Sequence, residues 1–211
     1  MSLPVIILGA GGHAKVLIDV LHASRAVIAG IVDSEPALAG SSLLSVPVLG
    51  NDDILTDFSP SEVQLVNALG SVGLPTKRRQ LFERFKGMGY FFATVVHPSA
   101  VVALDVELGE GTQIMAGAVV QPGCRIGINS IINTRVSVDH DCIIGDHVHI
   151  APGVTLSGGV KVGAGSHIGT GVTVIHGISI GIGCLLSAGS VVIRDVIEGT
   201  KVRGVPAREV I

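Results

Sequence analysis

The amino-acid sequence predicts a mixed α/β plus all-β protein, in which a short βαβαβ domain precedes a parallel β-helix of about five coils. Three observations support this prediction: an apolar strand followed by a glycine-rich turn, a six-residue period that begins at Ala100, and a glycine that recurs every eighteen residues. Hexapeptide periods are typical of parallel β-helices, because each unit forms one short strand and one corner. We therefore predict two domains, residues 1–97 and residues 98–211.

The composition argues against two classes of partner. The 211 residues carry a net charge of −3 without any block of like charge, so we expect no nucleic-acid partner. No run of about eighteen apolar residues is present, so we expect no membrane insertion. The first residues lack the basic and apolar pattern of a secretion signal, and we expect a cytoplasmic protein.

Apolar segments and helical patterns predict the elements of the N-terminal domain. Their order is that of one βαβαβ half of a Rossmann-type nucleotide-binding sheet. A helix is expected after the first strand, with its apolar side at residues 16–21, and a second helix over "KRRQLFERF", residues 77–85. The predicted strands lie at residues 4–8, 27–33, 63–70 and 90–96.

The glycine-rich turn "GAGGHA", from Gly9 to Ala14, fits the pattern G-x-G-x-x-[GA]. Asp33 follows at the end of the second strand, as expected for a residue on the nucleoside side. Main-chain N–H groups at a helix N-terminus bind phosphate, although the same pattern also occurs as a plain strand–helix turn. A half-domain has no second mononucleotide unit, so the nucleotide part of an activated sugar fits better than NAD.

The hexapeptide period runs without a slip through sixteen units, and the third residue is Val, Ile or Leu in every unit. Positions one and three are expected to face the core, position two faces outward, and positions four to six form the corner. An ordinary sandwich of short strands would show irregular spacing instead. Three cysteines occupy position one, where we expect buried free thiols rather than disulfides: Cys124, Cys142 and Cys184.

The outward positions distinguish the three faces of the predicted prism. One face carries no charge and is rich in β-branched residues, which predicts an association surface and hence a homo-oligomer. A second face is charged and expected to be solvated. The outward residues are, on the uncharged face, Val101, Val119, Ser137, Thr155, Thr173 and Val191; on the solvated face, Glu107, Arg125, Ile143, Lys161 and Ser179; and on the third face, Gln113, Ile131, His149, His167 and Leu185.

The stretch "VSVDHDCIIGDHVHIAPG" places a candidate catalytic group on one corner. His140 lies at position five of its unit, and Gly158 lies eighteen residues later, directly above it on the next coil. A reaction that forms an oxyanion while a proton is removed needs a base for the proton and a donor for the oxyanion. His140 and the Gly158 N–H can fill these roles, with Asp141 orienting the imidazole. The alternative is a solvated corner of polar turn residues.

The ordered set "GAGGHAKV", "HPSA", "VDHD" and "RGVPARE" resembles one family over nearly the whole chain. It is the bacterial amino-sugar N-acetyltransferases and sialic acid O-acetyltransferases of the left-handed β-helix superfamily. The resemblance implies a left-handed winding, a homotrimer and acetyl-CoA as co-substrate, with no metal. It implies acetyl transfer to the amine of a UDP- or GDP-linked 4-amino-dideoxy sugar for surface glycans; O-acetylation of a sialic acid-type sugar is the alternative.

The resemblance also implies site residues. It places the family's catalytic histidine pair at His140 and Asp141, and a histidine near the acetyl thioester at His149. The nucleotide-sugar residues that it implies are Gly11, Gly12, His13, Lys15 and Asp33. The acetyl-CoA residues are His149, Gly158, His167, Ala188 (where the family often has glycine), Lys201, Arg203 and Arg208, the last three being the only basic cluster near the end of the column.

Two features leave alternatives open. The segment after the third strand is longer than usual for the family, so no nucleotide contact is assigned to Ser71 or Arg78. His149 and His167 lie one coil apart, close enough to share a metal, so a zinc hydratase resembling carbonic anhydrase is a second candidate class. A sugar-nucleotide sensor without catalysis is a third, and it would bind nucleotide but ignore acetyl-CoA.

Overall fold

The computed structural model of the chain describes residues 3–210, and its N-terminal part contains a five-stranded sheet. The strand order is β3-β4-β2-β1-β5, in which only β3 is antiparallel to its neighbour. Parallel strands are usually buried on both faces, which explains their continuous apolar runs. The elements are β1 (Val5–Leu8), α1 (Gly12–Ala23), β2 (Ile28–Val32), β3 (Ser42–Leu43), β4 (Val46–Gly50), β5 (Gln64–Asn67) and α2 (Thr76–Gly87), with 3-10 turns at Pro36–Leu38 and Asp52–Asp57.

Two apolar clusters cover the two faces of this sheet. On one face, Leu17 of α1 packs in a cluster with Ile7 of β1. On the other, Phe82 and Phe85 of α2 pack in a cluster with Ile6. Successive residues of a strand point to opposite faces, so β1 contributes to both clusters. The predicted β1, β2, β5 and both helices are confirmed, whereas β3 and β4 were not predicted.

The second part of the chain is a parallel β-helix, as the hexapeptide period predicted. Each strand from Val95–Val96 to Thr173–Val174 pairs in parallel with the strand eighteen residues later, for example Ser137 with Thr155 and His149 with His167. At the end of the column, Leu185 pairs with Lys201, and the last two strands are antiparallel. Side chains at positions one and three form one continuous core, and the three free cysteines are buried in it. Burial raises the pKa of Cys142 to about 12, so this thiol remains protonated.

The strands form the three predicted faces. The uncharged face contains Val101–Val102, Val119–Val120, Ser137–Val138, Thr155–Leu156, Thr173–Val174 and Val191–Val192. The solvated face contains Glu107–Leu108, Arg125–Ile126, Ile143–Ile144, Lys161–Val162 and Ser179–Ile180. The third face, which we call the covered face, contains Val95–Val96, Gln113–Ile114, Ile131–Ile132, His149–Ile150, His167–Ile168, Leu185–Leu186, Lys201–Arg203 and Arg208–Glu209.

The N-terminal domain packs against the covered face. The outward residues of this face from Gln113 to His167 are nearly inaccessible, with Ile131 at 0% and His149 and His167 at 5% exposure. Gln113 donates to the Asn67 carbonyl at the end of β5, which joins the two parts directly. The outward residues of the solvated face are exposed instead. The histidines of the covered face therefore lie at a contact within one chain.

The predicted strand over residues 90–96 is wrong in its pairing. Phe92 makes a single bridge to Leu65 of the N-terminal sheet. Val95–Val96 instead pairs with Gln113–Ile114 and becomes the first strand of the covered face. The segment therefore passes from one sheet to the other before residue 97, because the first coil needs a strand beneath it to complete its hydrogen bonds.

A column of glycines at one corner allows the coils to stack closely. A Cβ atom added to Gly163 would lie 2.5 Å from the Gly181 carbonyl carbon and 2.5 Å from the Ile182 nitrogen. Both atoms belong to the main chain of the next coil, so neither can move independently. The column comprises Gly109, Gly127, Gly145, Gly163 and Gly181. The eighteen-residue glycine period is thus a steric requirement of coil stacking.

We expect Gly163→Ala to lower the free energy of unfolding by about 1–3 kcal/mol, the usual cost of overpacking. The measurement is urea and thermal denaturation followed by circular dichroism. Gly87→Ala is the matched control, because a Cβ at this helix-end position meets nothing within 4 Å. An unchanged stability of Gly163→Ala would contradict the close approach of the coils.

Candidate active site

The glycine-rich turn leads from β1 into α1. Gly9 has φ of +103°, and a Cβ there would lie 3.1 Å from the Leu69 side chain, so both conformation and space favour glycine. The first turn of α1 has no side-chain cap: Gly11 is the N-cap and has no side-chain oxygen for the N–H groups of Gly12 and His13. Uncapped N–H groups and the helix dipole together favour an anion at this position.

Asp33 stabilises this turn through two hydrogen bonds. Its Oδ2 accepts a hydrogen bond from the Ala10 N–H at 2.6 Å, and its Oδ1 accepts one from the Glu35 N–H at 2.9 Å. The carboxylate therefore connects the end of β2 to the start of the turn. Lys15, which the family resemblance also implied, points away on the exposed side of α1 and does not line the adjacent cleft.

A cleft of about 970 Å³ separates this turn from the covered face. Its N-terminal wall includes Gly11, Gly12 and His13, together with the turn after β5 over residues 68–72. The cleft also reaches the corner between the covered and uncharged faces, which we call the cleft corner. From the β-helix the cleft is lined by His149, His167, Ala188 and Lys201, and at the cleft corner by Asn133, Thr134, Ala151, Pro152, Gly169 and Thr170.

Residues predicted for two different ligands thus line one cleft. The sequence predicts nucleotide-sugar residues in the N-terminal domain and acetyl-CoA residues in the β-helix. Three residues of the first set and four of the second line the same space. Arg203 and Arg208 lie outside it, and Arg208 lines a small cavity at the end of the column.

His13 is held in its neutral form. Its Nε2 lies 2.8 Å from the Gln113 side-chain oxygen, and the Gln113 amide nitrogen donates to the Asn67 carbonyl, so His13 Nε2 must be the donor. Burial lowers the pKa of His13 to about 4, and the nearby Arg78 charge acts in the same direction. The ring therefore offers an unprotonated Nδ1 at neutral pH.

Four polar side chains meet at the covered face. Ser71 Oγ lies 2.8 Å from His149 Nδ1 and 3.3 Å from His167 Nδ1. Asn133 Nδ2 lies 3.2 Å from His149 Nε2. Burial lowers the pKa of His149 to about 3, with further lowering from His167, Arg78 and His13. Burial also lowers the pKa of His167. Sequence reasoning missed Ser71 and Asn133 at this site.

Arg78 holds the turn that carries Ser71. It is fully buried; its Nη1 donates to the Asn67 and Leu69 carbonyls, and its Nε donates to the Asn129 carbonyl of the β-helix. Burial lowers the pKa of Arg78 to about 9. This arginine joins the two parts of the chain and does not reach the cleft.

His140 and Asp141 lie together on a different corner, between the uncharged and solvated faces. His140 Nδ1 is 2.8 Å from Asp141 Oδ2, and this hydrogen bond raises the pKa of His140 above its ordinary value. The imidazole lies directly below Gly158, where a Cβ would be 2.5 Å from His140 Nε2. The His176 ring, two coils above His140, lies 6.1 Å from it between centroids. We call this the His140 corner.

The cleft and the His140 corner lie at opposite edges of the uncharged face. Asp139, His140 and Asp141 follow the strand Ser137–Val138, whereas the cleft corner precedes Thr155–Leu156 on the same face. Within one chain, His140, Asp141 and Gly158 therefore do not meet the residues of the cleft.

Two further features of the structure concern metal binding and membrane insertion. Over residues 3–210, no three His, Cys, Asp or Glu side chains are grouped so that they could hold a metal ion. In the same range, no helix is both long and apolar enough to cross a membrane.

Comparisons with known proteins agree with both parts of the fold. Residues 4–85 match the family model of the PglD N-terminal domain, and residues 123–158 match that of the bacterial transferase hexapeptide (six repeats). UDP-N-acetylbacillosamine N-acetyltransferase of Bacillus subtilis (strain 168) is 40% identical over 116 residues, which is 53% of this chain and 51% of that protein. The chain thus aligns with about half the length of this curated relative.

Two solved structures match over almost the full chain. PerB from Caulobacter crescentus, in complex with CoA and GDP-perosamine, is 39% identical, with a TM-score of 0.90 and 99% of both chains covered. The acetyltransferase domain of PglB from Neisseria gonorrhoeae FA1090, in complex with acetyl coenzyme A, is 34% identical, with a TM-score of 0.92 and 100% of both chains covered.

The buried imidazoles generate a pH dependence of stability. The pKa is about 4 for His13 and about 3 for His149 in the folded chain, against 6.5 for an ordinary histidine. Between pH 6.5 and 4, the unfolded chain therefore binds protons that the folded chain does not. The free energy of unfolding must therefore fall as the pH falls through this window. Above pH 6.5 this loss of stability is absent.

We expect His149→Phe to reduce the slope of unfolding free energy against pH, by about 1.4 kcal/mol per pH unit between pH 6 and 4, the effect of one proton. Urea denaturation at several pH values measures the slope. His13→Gln should act similarly, whereas the exposed His22→Gln should not. Equal slopes in all variants would mean that neither imidazole is neutral in the folded chain.

Proposed function

The chain belongs to the bacterial nucleotide-sugar N-acetyltransferases that join a PglD-type N-terminal domain to hexapeptide repeats, and we propose that it transfers acetyl from acetyl-CoA to the amine of a UDP- or GDP-linked 4-amino-dideoxy sugar. The observation that carries this proposal is the cleft in which an uncapped helix N-terminus faces buried, neutral histidines. Such a cleft suits an anionic nucleotide on one wall and an uncharged acyl chain on the other.

The acceptor nucleotide is proposed to bind at the start of α1. The N–H groups of Gly12 and His13 meet a phosphate without competition from a capping side chain. Asp33 keeps one lone pair on each oxygen beyond its two main-chain partners, so it can also accept from a ribose hydroxyl. Lys15 contributes only positive charge at a distance, since its side chain lies outside the cleft.

Acetyl-CoA is proposed to run along the cleft corner toward the end of the column. Ala188 exposes main-chain groups there, and Lys201 provides a positive charge at the upper end of the cleft. Arg203 and Arg208 follow in the last two strands, where the CoA phosphates would lie. The basic residues thus lie above the histidines, in the order in which phosphate and thioester occur along the cofactor.

We propose a homotrimer that completes the site. The outward residues of the uncharged face include Val101, Thr155 and Thr173, which are exposed in the single chain. A threefold axis beside this face brings one edge of it next to the opposite edge in the neighbouring chain. One edge holds the cleft and the other holds His140, so each cleft would receive His140 from a neighbour at the same coil height. The three free buried cysteines suit a cytoplasmic enzyme.

The reaction then follows from the His140 corner. Asp141 accepts from Nδ1–H, which leaves His140 Nε2 as the base that removes a proton from the amine. As nitrogen attacks the thioester carbonyl, the Gly158 N–H stabilises the oxyanion; among the described residues, this N–H has no other acceptor. Collapse of the intermediate breaks the C–S bond, and the imidazolium returns the proton to the CoA thiolate.

We expect His140→Ala to lower kcat by about 10²–10⁴-fold, the usual value of general base catalysis, with little change in CoA affinity. Asp141→Asn should cost less. Because Asp141 raises the pKa of His140, the wild-type rate should rise with pH through that raised pKa, and Asp141→Asn should move the midpoint to lower pH. Thiol release at several pH values measures both effects. A His140→Ala enzyme with more than about a tenth of wild-type kcat would assign the proton to another group.

Mixed trimers test the shared site. Gly12→Asp should block nucleotide binding by charge, since a side chain at Gly12 meets no protein atom within 4 Å. When this variant and His140→Ala are refolded together in equal amounts, about one quarter of wild-type activity should return, because each mixed trimer contains one intact site. Each variant alone is the control. No recovery from trimers shown to be mixed by mass spectrometry would place the whole site in one chain.

A further inference from the structure

We propose that Ser71 is a positioning residue that sets the protons of the His149–His167 pair, so that His167 presents its Nε2–H to acetyl-CoA in the cleft. This proposal rests on the proposed function for the identity of the ligand, but the proton arrangement itself stands on the geometry of the free protein. Ser71 is supplied by the N-terminal domain, and both histidines are supplied by the covered face.

Asn133 fixes the first proton. The Thr134 N–H donates to Asn133 Oδ1 at 2.8 Å, so the oxygen of this side-chain amide is identified by its donor. The other amide atom, Nδ2, can only donate, and it lies 3.2 Å from His149 Nε2. His149 Nε2 is therefore the acceptor, and the ring proton of His149 must be on Nδ1.

Ser71 determines which ring nitrogen of His167 carries the proton. His149 Nδ1–H donates to Ser71 Oγ at 2.8 Å. The Ser71 hydroxyl is then free to donate to His167 Nδ1, 3.3 Å away. His167 Nδ1 is thus an acceptor, and its ring proton must be on Nε2. Among residues 3–210, no group accepts from His167 Nε2, whereas both nitrogens of His149 have partners.

Buried hydrogen bonds hold the turn that carries Ser71. Arg78 donates through Nη1 to the carbonyls of Asn67 and Leu69, and Leu69 lies two residues before Ser71. Asn67 in turn accepts from the Leu69 N–H through its side-chain oxygen. The serine hydroxyl therefore approaches the histidines from a turn held by buried hydrogen bonds, although Val72 beside it is fully exposed.

Both imidazoles remain neutral around pH 7, because burial lowers the pKa of His149 and of His167. A neutral ring has one N–H and one lone pair, so its hydrogen-bond polarity depends on its partners. Without Ser71, His167 could expose a lone pair to the cleft as readily as an N–H. The serine removes this ambiguity.

The ligand atom that fits His167 Nε2–H is a carbonyl oxygen of the acyl-pantetheine arm. His167 lies one coil above His149, which is at the height of His140, and one coil below Leu185. Gly169, Thr170 and Ala188 line the cleft beside it, with Lys201 above. The position is thus between the reacting end and the phosphate end of acetyl-CoA, and the acceptors of the arm nearest the reacting end are the thioester and amide carbonyl oxygens.

The proton arrangement is tested in the free protein by long-range nitrogen–proton NMR of the imidazole rings. Wild type should show His149 protonated on Nδ1 and His167 on Nε2, with assignments from His149→Phe and His167→Phe. Ser71→Ala should leave a mixture of both His167 tautomers, Ser71→Thr should restore one, and Ser61→Ala, a distant surface serine, should change nothing. A His167 ring that stays protonated only on Nε2 in Ser71→Ala overturns the proposal.

The ligand is tested by calorimetric titration with acetyl-CoA, which needs no turnover. Ser71→Ala should weaken binding about twofold, because only about half of the His167 rings would then present Nε2–H to the ligand. The same loss should appear in KM for acetyl-CoA, with the pH profile of kcat unchanged. In a His167→Phe background, Ser71→Ala should have no further effect, because the serine acts through His167.

Additive effects of the two substitutions would show that Ser71 does not act through His167 and would overturn the proposal. These outcomes differ from failure of the proposed function. A wild-type protein that binds acetyl-CoA with the expected Ser71 dependence, yet acetylates no amino sugar, would retain this site and refute the reaction. An intact tautomer pattern without any acetyl-CoA binding would refute the ligand assigned to His167.

Discussion

The eighteen-residue coil is the constraint on which the rest of the structure depends. Each β-helix strand from Val95–Val96 to Thr173–Val174 pairs in register with the strand eighteen residues later, so equivalent side chains form columns along the prism. Within the β-helix, an outward or corner side chain can therefore contact only residues of its own column or corner. His140 meets Gly158 because nothing larger fits above it, and His149 meets His167 because both occupy the same outward position. The glycine column keeps the spacing of the coils that makes both encounters possible.

A buried polar interface attaches the N-terminal domain to this prism. Arg78 is fully buried without a carboxylate partner, and one of its nitrogens, Nη2, has no hydrogen-bond partner among the described residues. Burying an unpaired charge is expensive, and three carbonyl acceptors offset only part of that cost. A purely apolar contact would be more stable, but it would not fix the direction of each hydrogen bond. The polar contact determines how the turn with Ser71 meets the covered face.

The sequence predicts periodic features well and docking features poorly. The stacking of His140 under Gly158, and of His149 under His167, follows from counting eighteen residues, and the β-helix allows no other register. Ser71 and His149 are 78 residues apart and meet only because the two parts of the chain pack together. No local sequence pattern predicts that contact. The strand β4 was missed for a related reason, since "VPVLG" contains a proline and gains its pairing from β2. Residues 90–96 read as one strand, although they serve two sheets.

The environment separates histidines of identical chemistry into two roles. His140 is exposed on a corner, and Asp141 raises its pKa, so it can exchange protons near neutral pH. His13, His149 and His167 are buried, and their lowered pKa values keep them uncharged donors and acceptors. A proton that entered the buried group would be close to Arg78 and to a second imidazole, and both repel it. Charge transfer is thereby confined to the corner, while the cleft keeps a fixed pattern of neutral hydrogen bonds.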